Sequence, residues 1–150
     1  MGDSKSYSVP PGAAHREMQQ MWLSLMHGSW SSIVVVPTDP GLSAKVVIGA
    51  LLDAARQDDV GRFDVIDAEG ASAAHGERLA QELASVVGRG ARAIAAVDSL
   101  MQSLGGTPLV RDADAVLLVV RLGVSNFDSV QSTIDIVGRE RILGAVALPP

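Results

Sequence analysis

Short, unbroken apolar runs separated by helix-length stretches constrain this chain more than any other feature. Ile33-Val34-Val35-Val36 is β-branched throughout and is bounded by Pro37 and Pro40. Ala115-Val116-Leu117-Leu118-Val119-Val120 is the clearest run, and Ile142 to Leu148 is a third, stopped by Pro149-Pro150. Runs of this kind, without polar alternation, read as strands covered on both faces. Phe63-Asp64-Val65-Ile66-Asp67 and Ala91 to Val97 read as two more strands, and an acid closes each: Asp67 in the first, Asp98 just after the second.

The stretches between them carry helical periodicity. Val46 to Ala55 points Leu51 and Leu52 inward. Residues 74–87 align Leu79, Leu83, Val86 and Val87, with Gly88 as the C-terminal cap. Ser125 and Asp128 offer a capping-box-like start to a helix with Phe127, Val130, Ile134 and Val137, closed by Gly138. Between Val97 and Ala115 the sequence gives a Leu-rich turn or short helix (Leu100, Met101, Leu104), then Gly105-Gly106-Thr107-Pro108 as punctuation. Ahead of the first strand, Met18, Met21, Trp22, Leu25 and Met26 fall on one helical face. Their soft side chains suit packing within the domain or against a partner.

Strands alternating with helices predict an α/β fold: a three-layer sandwich with a mostly parallel central sheet flanked by helices. Residues 1–12 read as a flexible lead, and 13–150 as a single domain. The core must be aliphatic, because 47 % of residues are apolar but only 3 % aromatic. A formal charge of −5, with only two lysines (Lys5 and Lys45), argues against a nucleic-acid surface. The chain has no cysteine, which excludes disulfides and cysteine-ligated metal. No apolar run reaches the roughly 18 residues needed to span a bilayer. His15, His27 and His75 are isolated in spacing and predict no metal site.

In a parallel sheet of this kind ligands bind at the C-terminal ends of the strands. That edge would collect the Thr38–Lys45 loop, Asp67 with Glu69, Asp98 and the Arg121–Ser125 turn. The loop lies between a strand and a helix, where a phosphate-binding G-x-x-x-x-G-K-[ST] loop would lie. Its chemistry is thin. Ala44 rather than Gly precedes Lys45, and Val46 rather than a hydroxyl residue follows, so the usual Mg²⁺ ligand is missing. Pro37 and Pro40 remove two N–H donors, and Asp39 adds negative charge. A plain strand-to-helix turn, with Lys45 facing solvent, explains the same residues. Likewise, acids at strand ends often cap the next helix or stand in water.

The chain resembles the cytoplasmic kinase domain of bacterial exopolysaccharide tyrosine autokinases, P-loop proteins paired with membrane polysaccharide co-polymerases. The resemblance spans about residues 14–148 and is strongest at Arg111-Asp112-Ala113-Asp114-Ala115-Val116-Leu117-Leu118-Val119-Val120-Arg121, followed by Arg141-Ile142-Leu143-Gly144-Ala145-Val146. It implies a P-loop NTPase-like fold, with Pro40, Gly41, Ser43 and Lys45 in the phosphate loop. Asp67-Ala68-Glu69 stands for the second acidic motif, and Asp98 for the Walker B acid, with Ser99-Leu100 after it in place of Thr-Pro-Pro. Glu17-Met18-Gln19-Gln20 stands where the family has the E-x-x-R helix that packs subunits into a ring.

The family's tyrosine-rich tail has no counterpart, since Tyr7 is the only tyrosine. The expectation is therefore a non-catalytic, kinase-like module in exopolysaccharide biosynthesis or export, without a nucleotide cofactor. Its partner would be the cytoplasmic part of the co-polymerase, or a second copy through the 17–26 helix. Its place would be cytoplasmic, at the inner face of the membrane. The alternative is an active ATP-dependent tyrosine kinase with an atypical loop. In that case ATP or ADP with Mg²⁺ would be the cofactor: Lys45 would hold phosphate, Asp67 and Asp98 would hold Mg²⁺ or orient the nucleophile, and Glu69 would assist.

Overall fold

The computed structural model describes residues 20, 21, 23–25, 28–58 and 63–149. The lead over 1–12 lies outside them, as do 17–19, Trp22 and Met26 of the expected N-terminal helix. Five strands form one sheet: β1 (Ser32–Pro37), β2 (Phe63–Asp67), β3 (Arg92–Ala96), β4 (Ala115–Arg121) and β5 (Ile142–Leu148). Their order is β2-β3-β1-β4-β5, and every pairing is parallel. Four helices connect them: α1 (Ala44–Asp58), α2 (Ala73–Gly88), α3 (Thr107–Asp112) and α4 (Phe127–Val137). A 3₁₀ turn at Arg139–Arg141 leads into β5. No helix among the described residues is long and apolar enough to cross a membrane.

The period of two along each strand divides the core in two. Val34 and Val36 of β1 face a layer built by α2, α3 and α4, with Leu83, Val86, Leu109 and Val137 buried there. Ile33 and Val35 face the opposite layer, built by α1 and the segment before β1, with Val47, Leu51, Leu25 and Trp30 buried. All six residues of β1 are buried, as expected for the central strand. Burial of each Val or Ile side chain contributes about 1.5–3 kcal/mol. Aliphatic side chains supply nearly all of this core.

Several local expectations need correction. Asn126, not Ser125, caps α4: its side chain accepts a hydrogen bond from Asp128 N at 2.7 Å. Ser125 Oγ instead accepts from Arg121 N at 2.8 Å, closing the turn after β4. Phe127 therefore starts the helix on its outer side and is 76 % exposed, so it does not join the apolar face. Gly88 lies inside α2, and Gly90 takes the positive φ that reverses the chain before β3. Thr107-Pro108 does not merely punctuate: it opens α3, and the Pro at the start of that helix forgoes an N–H the first turn does not need. β2 and β5 are the edge strands, with Asp64 and Val65 exposed in the first and Leu143 half-exposed in the second, so neither is covered on both faces.

The described part of the N-terminal apolar face packs inward. Leu25 is buried and Met21 lies against the same core. Trp30 Nε1 donates to the Leu25 carbonyl at 2.6 Å, stacks on Phe63 with centroids 6.0 Å apart, and carries the Arg92 guanidinium over its ring at 4.6 Å. These contacts fasten the N-terminal segment to the β2–β3 side of the sheet.

Candidate functional site

The strand-end edge begins with β1, whose last residue, Pro37, gives way to Thr38. Thr38 is fully buried, and both its N–H (3.0 Å) and its Oγ1 (3.1 Å) donate to the Val119 carbonyl of β4. Its hydroxyl is thus turned to the neighbouring strand. The chain then makes a Pro40-Gly41 turn in which Leu42 N donates to the Asp39 carbonyl at 3.4 Å. Gly41 sits at φ +90°, the left-handed position that a type II turn places after its proline. Pro40 and Gly41 are exposed at the tip.

α1 starts at Ala44, and its first turn meets two acids at the end of β2, Asp67 as its last residue and Glu69 just beyond it. Glu69 Oε2 accepts from Ser43 Oγ at 3.0 Å and from Ala44 N at 3.1 Å. Lys45 Nζ lies 3.1 Å from Asp67 Oδ2 and 3.4 Å from Glu69 Oε1. Asp67 Oδ1 also accepts from Glu69 N at 3.1 Å, which sets the spacing of the two carboxylates. The hydrogen bonds that the Lys45 ammonium donates, to Asp67 first and then Glu69, raise it above its ordinary pKa. Lys45 therefore does not simply face solvent. It is half-exposed, but it closes a clasp between the β1–α1 and β2–α2 loops.

Asp98, two residues beyond β3, turns its carboxylate to Gly70 N at 2.7 Å. Gly70 holds a positive φ of 77°, so this contact steadies the same acidic loop. On the other side Asp39 Oδ1 accepts from Asn126 N at 3.4 Å, joining the loop to the start of α4. Asp39 Oδ2 and Arg121 Nε are buried without a hydrogen-bond partner. Of the residues expected at this edge, Ser43, Lys45, Asp67 and Glu69 are joined by direct contacts and Asp98 reaches the same loop through Gly70, whereas Pro40 and Gly41 stand apart at the exposed tip. Among the described residues no group of three or more acidic, His or Cys side chains is arranged to hold a metal ion.

Sequence reasoning missed two parts of the arrangement. One is Ser43 and Ala44 acting as donors to Glu69. The other is the role of the glycines behind the edge. A Cβ on Gly76 would stand 2.0 Å from the Gly105 carbonyl oxygen, and one on Gly105 would stand 2.0 Å from that of Ala71. α2 and the loop before α3 thus touch backbone to backbone. The Gly105-Gly106 pair was the available signal.

The central strand passes through a Pro-Gly loop into a helix, with acids at the ends of the neighbouring β3 and of β2 beyond it, and the whole is an α/β sandwich around an all-parallel five-stranded sheet. Solved structures agree. The kinase domain of the Escherichia coli tyrosine kinase ETK matches with a TM-score of 0.73, 13 % identity, and coverage of 97 % of this chain and 79 % of that one. The VpsO kinase domain matches with a TM-score of 0.74 at 11 % identity, covering 91 % of this chain and 96 % of its own. The chimerical protein CapA2B2 matches with 0.73 at 12 %, covering 98 % and 90 %. At these identities the likeness is one of fold. No family model and no curated protein matches the sequence.

Proposed function

We propose that this chain is a kinase-like module that neither binds nor hydrolyses ATP, and that acts in exopolysaccharide biosynthesis or export by binding the cytoplasmic part of a membrane co-polymerase. The fold it shares with tyrosine-kinase domains and the resemblance at Arg111–Arg121 support the pathway. The clasp of Lys45 by Asp67 and Glu69 supports the loss of catalysis. The lysine meant for phosphate is engaged by two carboxylates, and Val46 offers no oxygen to Mg²⁺. The nearest loop hydroxyls are also committed, Thr38 to β4 and Ser43 to Glu69. Titration of the purified chain with Mg·ATP in a calorimeter should give no binding heat in the micromolar range. Micromolar binding that disappears in Lys45→Met would refute the reading.

One observation favours an active kinase instead. Lys45 and three carboxylates converge on one edge, where Asp39 Oδ2 and Arg121 Nε keep unused hydrogen-bonding capacity. Phosphotyrosine on the purified chain or on a co-expressed co-polymerase tail, dependent on Asp98, is the signature of that reading.

A further inference from the structure

The start of a helix and an adjacent lysine together favour an anion. Here the protein supplies that anion itself. Glu69 divides its two oxygens: Oε2 takes Ser43 Oγ (3.0 Å) and Ala44 N (3.1 Å), while Oε1 faces Lys45 Nζ at 3.4 Å. Any phosphate approaching α1 would need the same hydroxyl, the same amide and the same ammonium. The Glu69 side chain is only 18 % exposed, against 53 % for Asp67, so water competes little for its bonds. Asp67 reaches only the Lys45 ammonium and the Glu69 amide, and leaves the helix start untouched.

We propose that Glu69 is a built-in ligand of the β1–α1 loop, an autoinhibitory carboxylate that keeps the start of α1 closed to phosphate-type anions. This rests on the reading that the wild-type chain binds no nucleotide, and it names the group responsible. Asp67 and Glu69 are not equivalent under this proposal. Removing Glu69 frees an amide and a hydroxyl and takes one of two carboxylates from Lys45, whereas removing Asp67 releases only the lysine and the Glu69 amide.

The test uses magnesium pyrophosphate as the probe, titrated calorimetrically into the whole chain. Glu69→Ala should bind it about tenfold or more tightly than wild type, the scale expected when charge-assisted donors are released to a ligand. The gain should vanish in the Lys45→Ala/Glu69→Ala double variant. Glu69→Gln keeps the volume and an acceptor for Ala44 N, guards against a folding failure, and should give a smaller gain. A thermal melt confirms that each variant is folded. Folded Glu69→Ala or Glu69→Gln with no gain over wild type overturns the proposal, as does an equal gain from Asp67→Asn. Mg·ATP binding to wild type refutes the non-nucleotide reading, whereas equality between wild type and Glu69→Ala refutes the closure alone.

Discussion

Gly76→Ala separates two effects that normally travel together. In an open helix, Gly to Ala stabilises by up to about 1 kcal/mol, through the entropy of the unfolded chain and helix propensity. Gly76 lies in the first turns of α2, and its new Cβ would sit 2.0 Å from the Gly105 carbonyl oxygen and 3.0 Å from its carbon. Relief needs a backbone shift of about 1 Å or more, because nothing at that contact is a flexible side chain. Gly105 cannot retreat freely, since the place a Cβ would take on it is already filled by the Ala71 carbonyl, whose oxygen lies 2.0 Å from that position. Overpacking of this kind costs about 1–3 kcal/mol, so the net effect should be a loss of about 1–2 kcal/mol after the propensity gain. For a chain of this size that lowers Tm by roughly 3–8 °C. Gly49, inside α1 with nothing within 4 Å of its would-be Cβ, is the internal control. Gly49→Ala should raise Tm by roughly 1–4 °C. Circular-dichroism melts of both variants decide the matter. If Gly76→Ala melts at or above wild type, the close approach of α2 to the loop before α3 is wrong.

Other perturbations probe the edge and its supports. Lys45 has its pKa raised in the folded chain, so its clasp stabilises fully below the unfolded value of 10.5 and is lost as pH rises through the folded value. The Tm gap between wild type and Lys45→Met should therefore persist at neutral pH and close in strong alkali; a gap that widens there contradicts the clasp. Ser72 caps α2 by accepting from His75 N at 3.2 Å, and Ser72→Ala should cost about 1 kcal/mol in urea unfolding. Arg141 Nη2 donates to the carbonyls of Val110 and Ala113 at the end of α3. Arg141→Met should cost about 1–3 kcal/mol by leaving those carbonyls unpaired, and an unchanged urea midpoint would count against that contact.

The sheet was legible because its signal is local. Unbroken runs such as Ile33–Val36 and Ala115–Val120 can satisfy their hydrophobic surface only between two layers, and the observed strands match them to within a residue or so. Short helices and caps were less legible. α3 is six residues long, too short for periodicity to speak, and its Gly105-Gly106 lead-in looks the same as a loop signal. Phe127 fits the period of α4 in the sequence, yet it falls on the first residue after the cap, before the helix has met the sheet. Such boundary effects depend on where the helix docks.

The candidate site was legible in its members but not in its wiring. Strand-end position marks Lys45, Asp67, Glu69 and Asp98, because chain direction alone carries them to one edge of a parallel sheet. Which acid meets which donor depends on strand order, since β3 lies between β1 and β2 and separates the lysine's strand from the acids' strand. From the sequence, Glu69 is a one-methylene variation on a second aspartate, a difference with no evident consequence. In the fold, that methylene spans the gap over β3 to Ser43 and Ala44, while the shorter Asp67 reaches only the long side chain of Lys45. The same two residues that make the edge look like an inherited site are thus the ones that fill it. Glu69→Asp, which keeps the charge but loses the reach, should leave the Lys45 pairing and surrender the contact with Ala44.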